Sequence, residues 1–300
     1  MCCTKADGPP LLKGHTRISQ LPVGSKAADY CIKLAEKFHT CQETPSNIVY
    51  YKTPMATTAE APYYGRLGIR ESEGGQITWP MFSHVTLVSD QWVLLSAYAI
   101  GADKYQYIGL GGTFTPVYNP DEIYGITTQH IHRLDNYGFS DLDNSMALYQ
   151  LDRRVTFTAR IRPACLHTGT PLPDSGFIIT GRDSASLHYK TTMQILPQEE
   201  CSRVFPTHAP HSAHDHDHEI CSRPVNTTGG CSNFGGWKYS GSPLTLHNNP
   251  RACTHLLVGL GCDYNFPPCT RTNTRISSYI PWIEEIMWPE SGVIDDDFVV

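Results

Sequence analysis

Between Cys201 and Cys221 the chain carries His208, His211, His214, His216 and His218, interleaved with small and acidic residues and ending at Glu219. In an extended segment His214, His216 and His218 fall on one face, because successive side chains alternate. Neutral imidazoles so spaced could bind zinc or copper weakly. The plainer alternative is a solvated polar loop, and a pH-sensitive contact is another. Beyond this weak metal contact no cofactor is expected. Asn226-Thr227-Thr228 is a glycosylation sequon. The 11 cysteines point to an oxidising compartment, and their odd number leaves at least one thiol free or bonded outside the chain.

The elements that must position such groups are short. With 22 Pro and 24 Gly spread along 300 residues, the chain suits many strands and turns rather than long helices. Trp92 to Ile100 is the longest apolar run; it is too short for a membrane span of about 20 residues and reads as a buried strand. Only 17% of residues are charged and the formal net charge is −6, so the basic face of a nucleic-acid binder is missing. Neither nucleic acid nor membrane is an expected partner. Met1-Cys2-Cys3-Thr4-Lys5 offers no apolar leader.

Three collinear motifs then carry a resemblance. Lys238-Tyr239-Ser240-Gly241-Ser242-Pro243-Leu244 resembles the nucleophile loop Gly-Asp-Ser-Gly-Gly-Pro-Leu of trypsin-like serine proteases. Upstream, Gln91 to Ala99 resembles Gln-Trp-Val-Leu-Thr-Ala-Ala-His-Cys, and Asp143-Asn144-Ser145-Met146-Ala147-Leu148 resembles Asn-Asn-Asp-Ile-Ala-Leu. The resemblance begins at Gly68 to Gly75 and ends in Thr274 to Ile283, which is very like the terminal helix entry of arthropod clip-domain serine proteases. It implies an all-β fold of two six-stranded antiparallel barrels with a short C-terminal helix. The expected layout is an N-terminal segment and linker over 1–66, which includes the possible tail of a truncated clip domain, a protease-like domain over 67–289 and an acidic tail over 290–300.

The departures from the family pattern set the functional expectation. Tyr98 stands at the histidine position and Ser145 at the aspartate position. A serine hydroxyl needs an imidazole to take its proton and a carboxylate to orient that imidazole, and a phenol with a reference pKa near 10 does not serve as that base. Tyr239 replaces the aspartate that in the family pairs with the new N-terminus after activation, and Lys238 precedes it. The same resemblance leaves Arg66 as the possible cleavage point. Gly229 and Gly230 stand where trypsin-like members carry an acid at the pocket floor, and Cys262-Asp263-Tyr264 replaces the Ser-Trp-Gly edge.

By the same resemblance Cys201 pairs with Cys221, Cys231 with Cys269, where the nucleophile loop joins the wall of the specificity pocket, and Cys31 with Cys165. The expectation is therefore a secreted pseudoprotease, not an enzyme. It would bind other extracellular proteins, such as cascade proteases or a substrate like prophenoloxidase, as a cofactor or modulator in innate immunity and melanisation. The alternatives are a residual serine endopeptidase using Ser240 and, more weakly, a metal-binding protein acting through the histidine loop.

Overall fold

A computed structural model describes residues 22–38, 49–50, 53–54, 56, 60–70, 72, 74–80, 84–96, 105–112, 119–132, 145–182, 188–204, 217–225, 241–249, 254–265 and 269–289. After helix α1 (Ser25–Lys37) and the short pair β1 (Val49–Tyr50) and β2 (Thr53–Pro54), a first barrel is built from β3 (Tyr64–Arg70), β5 (His84–Leu87), β6 (Trp92–Ser96), β9 (Met146–Leu151), β8 (Ile123–His132) and β7 (Tyr107–Leu110). It closes through β3 against β7, and β4 (Ile77–Thr78) is added to the free end of β3. The second barrel runs through β15 (Thr254–Asn265), β14 (Pro243–Asn249), β11 (Ser175–Arg182), β12 (His188–Ile195), β13 (Glu219–Pro224) and β16 (Thr270–Arg275). It closes where β15 meets β16. Strand β10 (Cys165–Leu166) lies parallel to β15, helix α2 (Gln198–Val204) precedes β13, and helix α3 (Ile280–Met287) ends the fold. Each barrel thus has six strands in its closed ring, the all-β architecture expected from the sequence.

Three apolar clusters hold this together. Leu67, Val85, Leu87, Val93, Leu95 and Ile108 fill the first barrel, and Phe177, Ile179, Met193, Leu244 and Val258 fill the second. A third cluster spans both and includes Leu94, Leu148, Leu257, Leu260, Ile280 and Ile283. Within it the Tyr63 hydroxyl meets Thr245 Oγ1 at 2.9 Å. Trp92 to Ser96 forms the strand that its apolar run predicts, and Val93, Leu94 and Leu95 are fully buried.

Arg66 is not an exposed cleavage point in this fold. It lies inside β3, opposite His84 on β5 and Gly109 on β7, and is 1% exposed. Its guanidinium donates to the carbonyls of Trp79 and Pro80, each at 2.5 Å. A protease binds its substrate as an extended strand, so a cut after Arg66 requires β3 to leave the barrel. For the same reason no boundary between structural units falls between residues 66 and 67, because β3 runs through it.

Helix α1 packs Ala27, Tyr30 and Leu34 inward. Its N-terminus has no side-chain cap of its own, Gly24 being at φ 86°. The buried Glu284 carboxylate, from α3, instead accepts hydrogen bonds from the Gly24 and Ala27 amides, both at 2.9 Å. Lys26 Nζ reaches the Trp288 carbonyl at 2.7 Å, and the Tyr30 ring packs on Trp288. The Cys31–Cys165 disulfide fastens the helix to β10. Removing the carboxylate leaves two buried N–H donors without acceptors. Glu284→Ala is expected to cost about 2 kcal/mol, read as a lower urea midpoint with an unchanged slope.

His167, two residues beyond Cys165, is 2% exposed, and its Nε2 donates to the Thr170 carbonyl at 2.7 Å. Burial holds this imidazole below its usual range, partly offset by the bond to Thr170, with the positive charge of Arg275 pushing the same way as burial. Its Nδ1 is buried without a hydrogen-bond partner. The unfolded chain therefore takes up a proton at a higher pH than the folded one. This contribution is present above the ordinary histidine value near 6.5 and is lost as pH falls from there toward the lower folded value. Thermal melts between pH 7.5 and pH 5 should show a smaller acid-induced loss in His167→Gln than in the unaltered protein.

Candidate active site

The barrels bring the three motif regions together through their described neighbours. Strand β6 leads toward Tyr98 and pairs with β9, with Ser96 opposite Met146. Ser145, the residue before Met146, is completely buried. Gly241, the residue after Ser240, faces the same place: a methyl group built on it would lie 3.9 Å from the Cβ atoms of both His84 and Ser96. Tyr98, Lys238, Tyr239 and Ser240 themselves lie outside the described residues, as do Cys231, Asn226, His214 and His216.

The nucleophile loop is anchored to the second barrel by backbone. The Gly241 amide donates to the Gly261 carbonyl at 2.6 Å, and the Gly261 amide donates to the Ser242 carbonyl at 2.9 Å. Gly261 in turn sits opposite Asn273 on β16. Asn273 is fully buried, and its side-chain amide donates to the Ile220 carbonyl at 3.0 Å and to Ser222 Oγ at 2.9 Å. Cys269, at the turn before β16, is disulfide-bonded and has φ 67°.

Behind Gly241 lies a buried aromatic group that the sequence motifs did not indicate. His84 is fully buried and shares a hydrogen bond from Nδ1 with the Tyr64 hydroxyl. The Tyr64 ring stacks on His188 with centroids 4.5 Å apart. The sequence signal was slight, an imidazole opening a four-residue strand in which Val85 and Leu87 alternate with it and Thr86. Cys201–Cys221 is a disulfide, and from the histidine-rich segment His218 packs its ring 5.8 Å from that of Tyr279. Among the described residues no group of three or more His, Cys, Asp or Glu is arranged to hold a metal ion. No helix among them is long and apolar enough to cross a membrane.

Two closed antiparallel barrels, with Gly241 fastened to the second and set against His84 of β5 and Ser96 of β6 in the first, have the architecture of chymotrypsin-like serine proteases. A family model described as Trypsin matches residues 53–283, and the chain belongs to the trypsin family. It is 25% identical over 228 residues to Chymotrypsin of Phaedon cochleariae, an alignment covering 71% of this chain and 74% of that protein. To Serine protease Hayan of Drosophila melanogaster it is 24% identical over 226 residues, covering 69% of this chain and 34% of that protein. The chain thus spans about a third of Hayan's length. A solved structure titled "Structure of GrC" superposes with a TM-score of 0.57 at 18% identity, over 78% of this chain and 97% of that one, and supports the fold.

These findings correct the expectation that the chain is not an enzyme. The matched model is that of trypsin, and both relatives are named as proteases. The expectation rested on Tyr98, Ser145 and Tyr239, of which Tyr98 and Tyr239 lie outside the described residues. Ser145, the third member, shows only that a neutral hydroxyl residue is buried at its position.

Gly241 has φ 74°, in the left-handed region that favours glycine. Because the added methyl group of Gly241→Ala meets its neighbours at ordinary contact distance, the backbone conformation rather than crowding sets the cost. A loss of about 1–2 kcal/mol is expected, measured by chemical denaturation.

Proposed function

We propose that this trypsin-family chain is a secreted, clip-type protein that works in an extracellular protease cascade by engaging polypeptide segments of other cascade proteins. The observation that carries this reading is the Cys31–Cys165 disulfide. It ties an N-terminal helix to the barrel at the two cysteines that the family resemblance pairs. A tether of this kind keeps the upstream segment attached if the chain is cut between α1 and the barrel. Disulfides are at home in an oxidising compartment, and Cys201–Cys221 adds a second. Cascade proteases, or a substrate such as prophenoloxidase, fit as partners.

Family membership favours a second reading, a serine endopeptidase using Ser240. Hydrolysis by Ser240 needs a proton acceptor within hydrogen-bond reach, and with Tyr98 in the usual place that acceptor has to come from elsewhere in the chain.

Capture from native body fluid, with the full-length secreted protein and its Ser240→Ala variant side by side, separates the readings. Engagement of partners is expected to leave the same set of extracellular proteins on both. If Ser240→Ala abolishes peptide cleavage and changes the downstream cascade response, the protein engages those segments as an endopeptidase; if neither form retains any extracellular protein, the cascade reading fails.

A further inference from the structure

We infer that the charge on Asp90 sets how firmly α1 grips the first barrel: a neutral carboxyl holds the C-terminal half of the helix down, and an ionised one loosens it. Asp90 lies in the turn between β5 and β6 and is 7% exposed. Its Oδ2 accepts a hydrogen bond from Arg154 at 2.8 Å, but the Arg154 side chain is 55% exposed and reaches in from solvent. Its Oδ1 is buried with no hydrogen-bond partner among the described residues. Helix α1 packs over this turn. Tyr30, Leu34 and Lys37 recur at helical spacing on one side. The Tyr30 phenol faces Asp90: burial first, and then the Asp90 charge, push it up, while a bond to the Asp90 backbone draws it down. Beyond it the Lys37 ammonium stands 5.8 Å from the Phe38 ring and 5.6 Å from that of Phe157, and the two rings meet edge-on at 6.0 Å.

The two ends of α1 are held by different chemistry. Its start rests on Glu284 of α3, on Trp288 just after it and on the Cys31–Cys165 bond. Its second half rests on a carboxyl that docking removes from water. An ionised carboxyl is costly to bury unless its oxygens are bonded. The charged groups facing Asp90 are Arg154, from the segment after β9, and Lys37, from α1. With its own amide they offset burial only in part, so Asp90 holds its proton to a higher pH than an ordinary aspartate. Releasing α1 returns the carboxyl to water and to its usual value of 3.8. Protonation consequently favours the docked helix: the grip is full below that value and weakens as pH rises through the higher docked one. The end that loosens leads into the connection to the barrel, where a cut leaves the upstream chain tethered through Cys31. The inference holds whether or not Ser240 hydrolyses peptides.

Hydrogen exchange of the full chain, read by mass spectrometry from pH 4 to pH 7.5 and corrected for the intrinsic rate at each pH, tests this on the amides of residues 32–38. In the unaltered protein they should be about twofold or more better protected at pH 4 than at pH 7.5. Asp90→Asn keeps an acceptor for Arg154 but cannot ionise. It should raise protection over 32–38 at pH 7.5 and flatten the pH dependence, leaving residues 25–30 unchanged. Arg154→Gln removes the positive partner and should move the transition to higher pH, a displacement that lost packing alone does not produce. Protection that is equal at the two pH values, or lower in acid, overturns the inference from the unaltered protein alone, whether or not the variants fold. So does a folded Asp90→Asn protein whose residues 32–38 are no better protected at pH 7.5 than in the unaltered protein.

Discussion

Barrel closure is the constraint from which the site follows. β3 pairs with β5 on one side and β7 on the other, and β16 pairs with both β13 and β15. Closure removes exposed edges and leaves strand ends and connecting loops as the places where the barrels meet. Gly241, the end of β6 and the start of β9 lie together there, each beside a strand whose register is fixed by buried side chains on the core face. Gly241 takes the left-handed backbone conformation, and its amide bond to the Gly261 carbonyl fastens it to the second barrel.

Much of this was legible in the sequence, for different reasons at different places. The run from Trp92 to Leu95 shows continuous apolar character because β6 is covered on both sides, and Met146 to Tyr149 beside it behaves the same way. The serine loop stood out because glycine and proline flank it in a recognisable order. Helix α1 escaped notice, although Ala27, Tyr30 and Leu34 are spaced to face one side. A short segment inside an otherwise strand-rich chain gives a periodic signal too brief to stand alone, and its stability comes from a carboxylate more than 250 positions away.

Arg66 shows how sequence position can mislead. The family resemblance leaves Arg66 as a cleavage point, but the preceding Gly65 is a close-approach site: a methyl group there would come within 2.6 Å of Leu110 and 2.9 Å of the Gly109 carbonyl. The neighbouring glycine marks strand crowding rather than exposure. Arg271 is the converse case. Thr270 to Arg275 contains no apolar residue, yet five of its six residues are buried. Polar side chains bonded to one another and to backbone erase the alternation on which strand recognition depends.

The Cys31–Cys165 bond has a mechanical consequence. A pull on the chain ahead of α1 is shared between the Glu284 and Trp288 contacts that lead into α3 and this bond, which leads into β10 and its sheet partner β15. β15 is also the strand that carries Gly261 and so holds Gly241. Load arriving at the front of the molecule is therefore delivered in part to β15, the strand that holds Gly241, and in part to the first barrel, because Ala164 beside β10 donates to the Leu87 carbonyl of β5. Tension on the N-terminal segment, from a bound partner or a surface, and the seating of the serine loop share one load-bearing element.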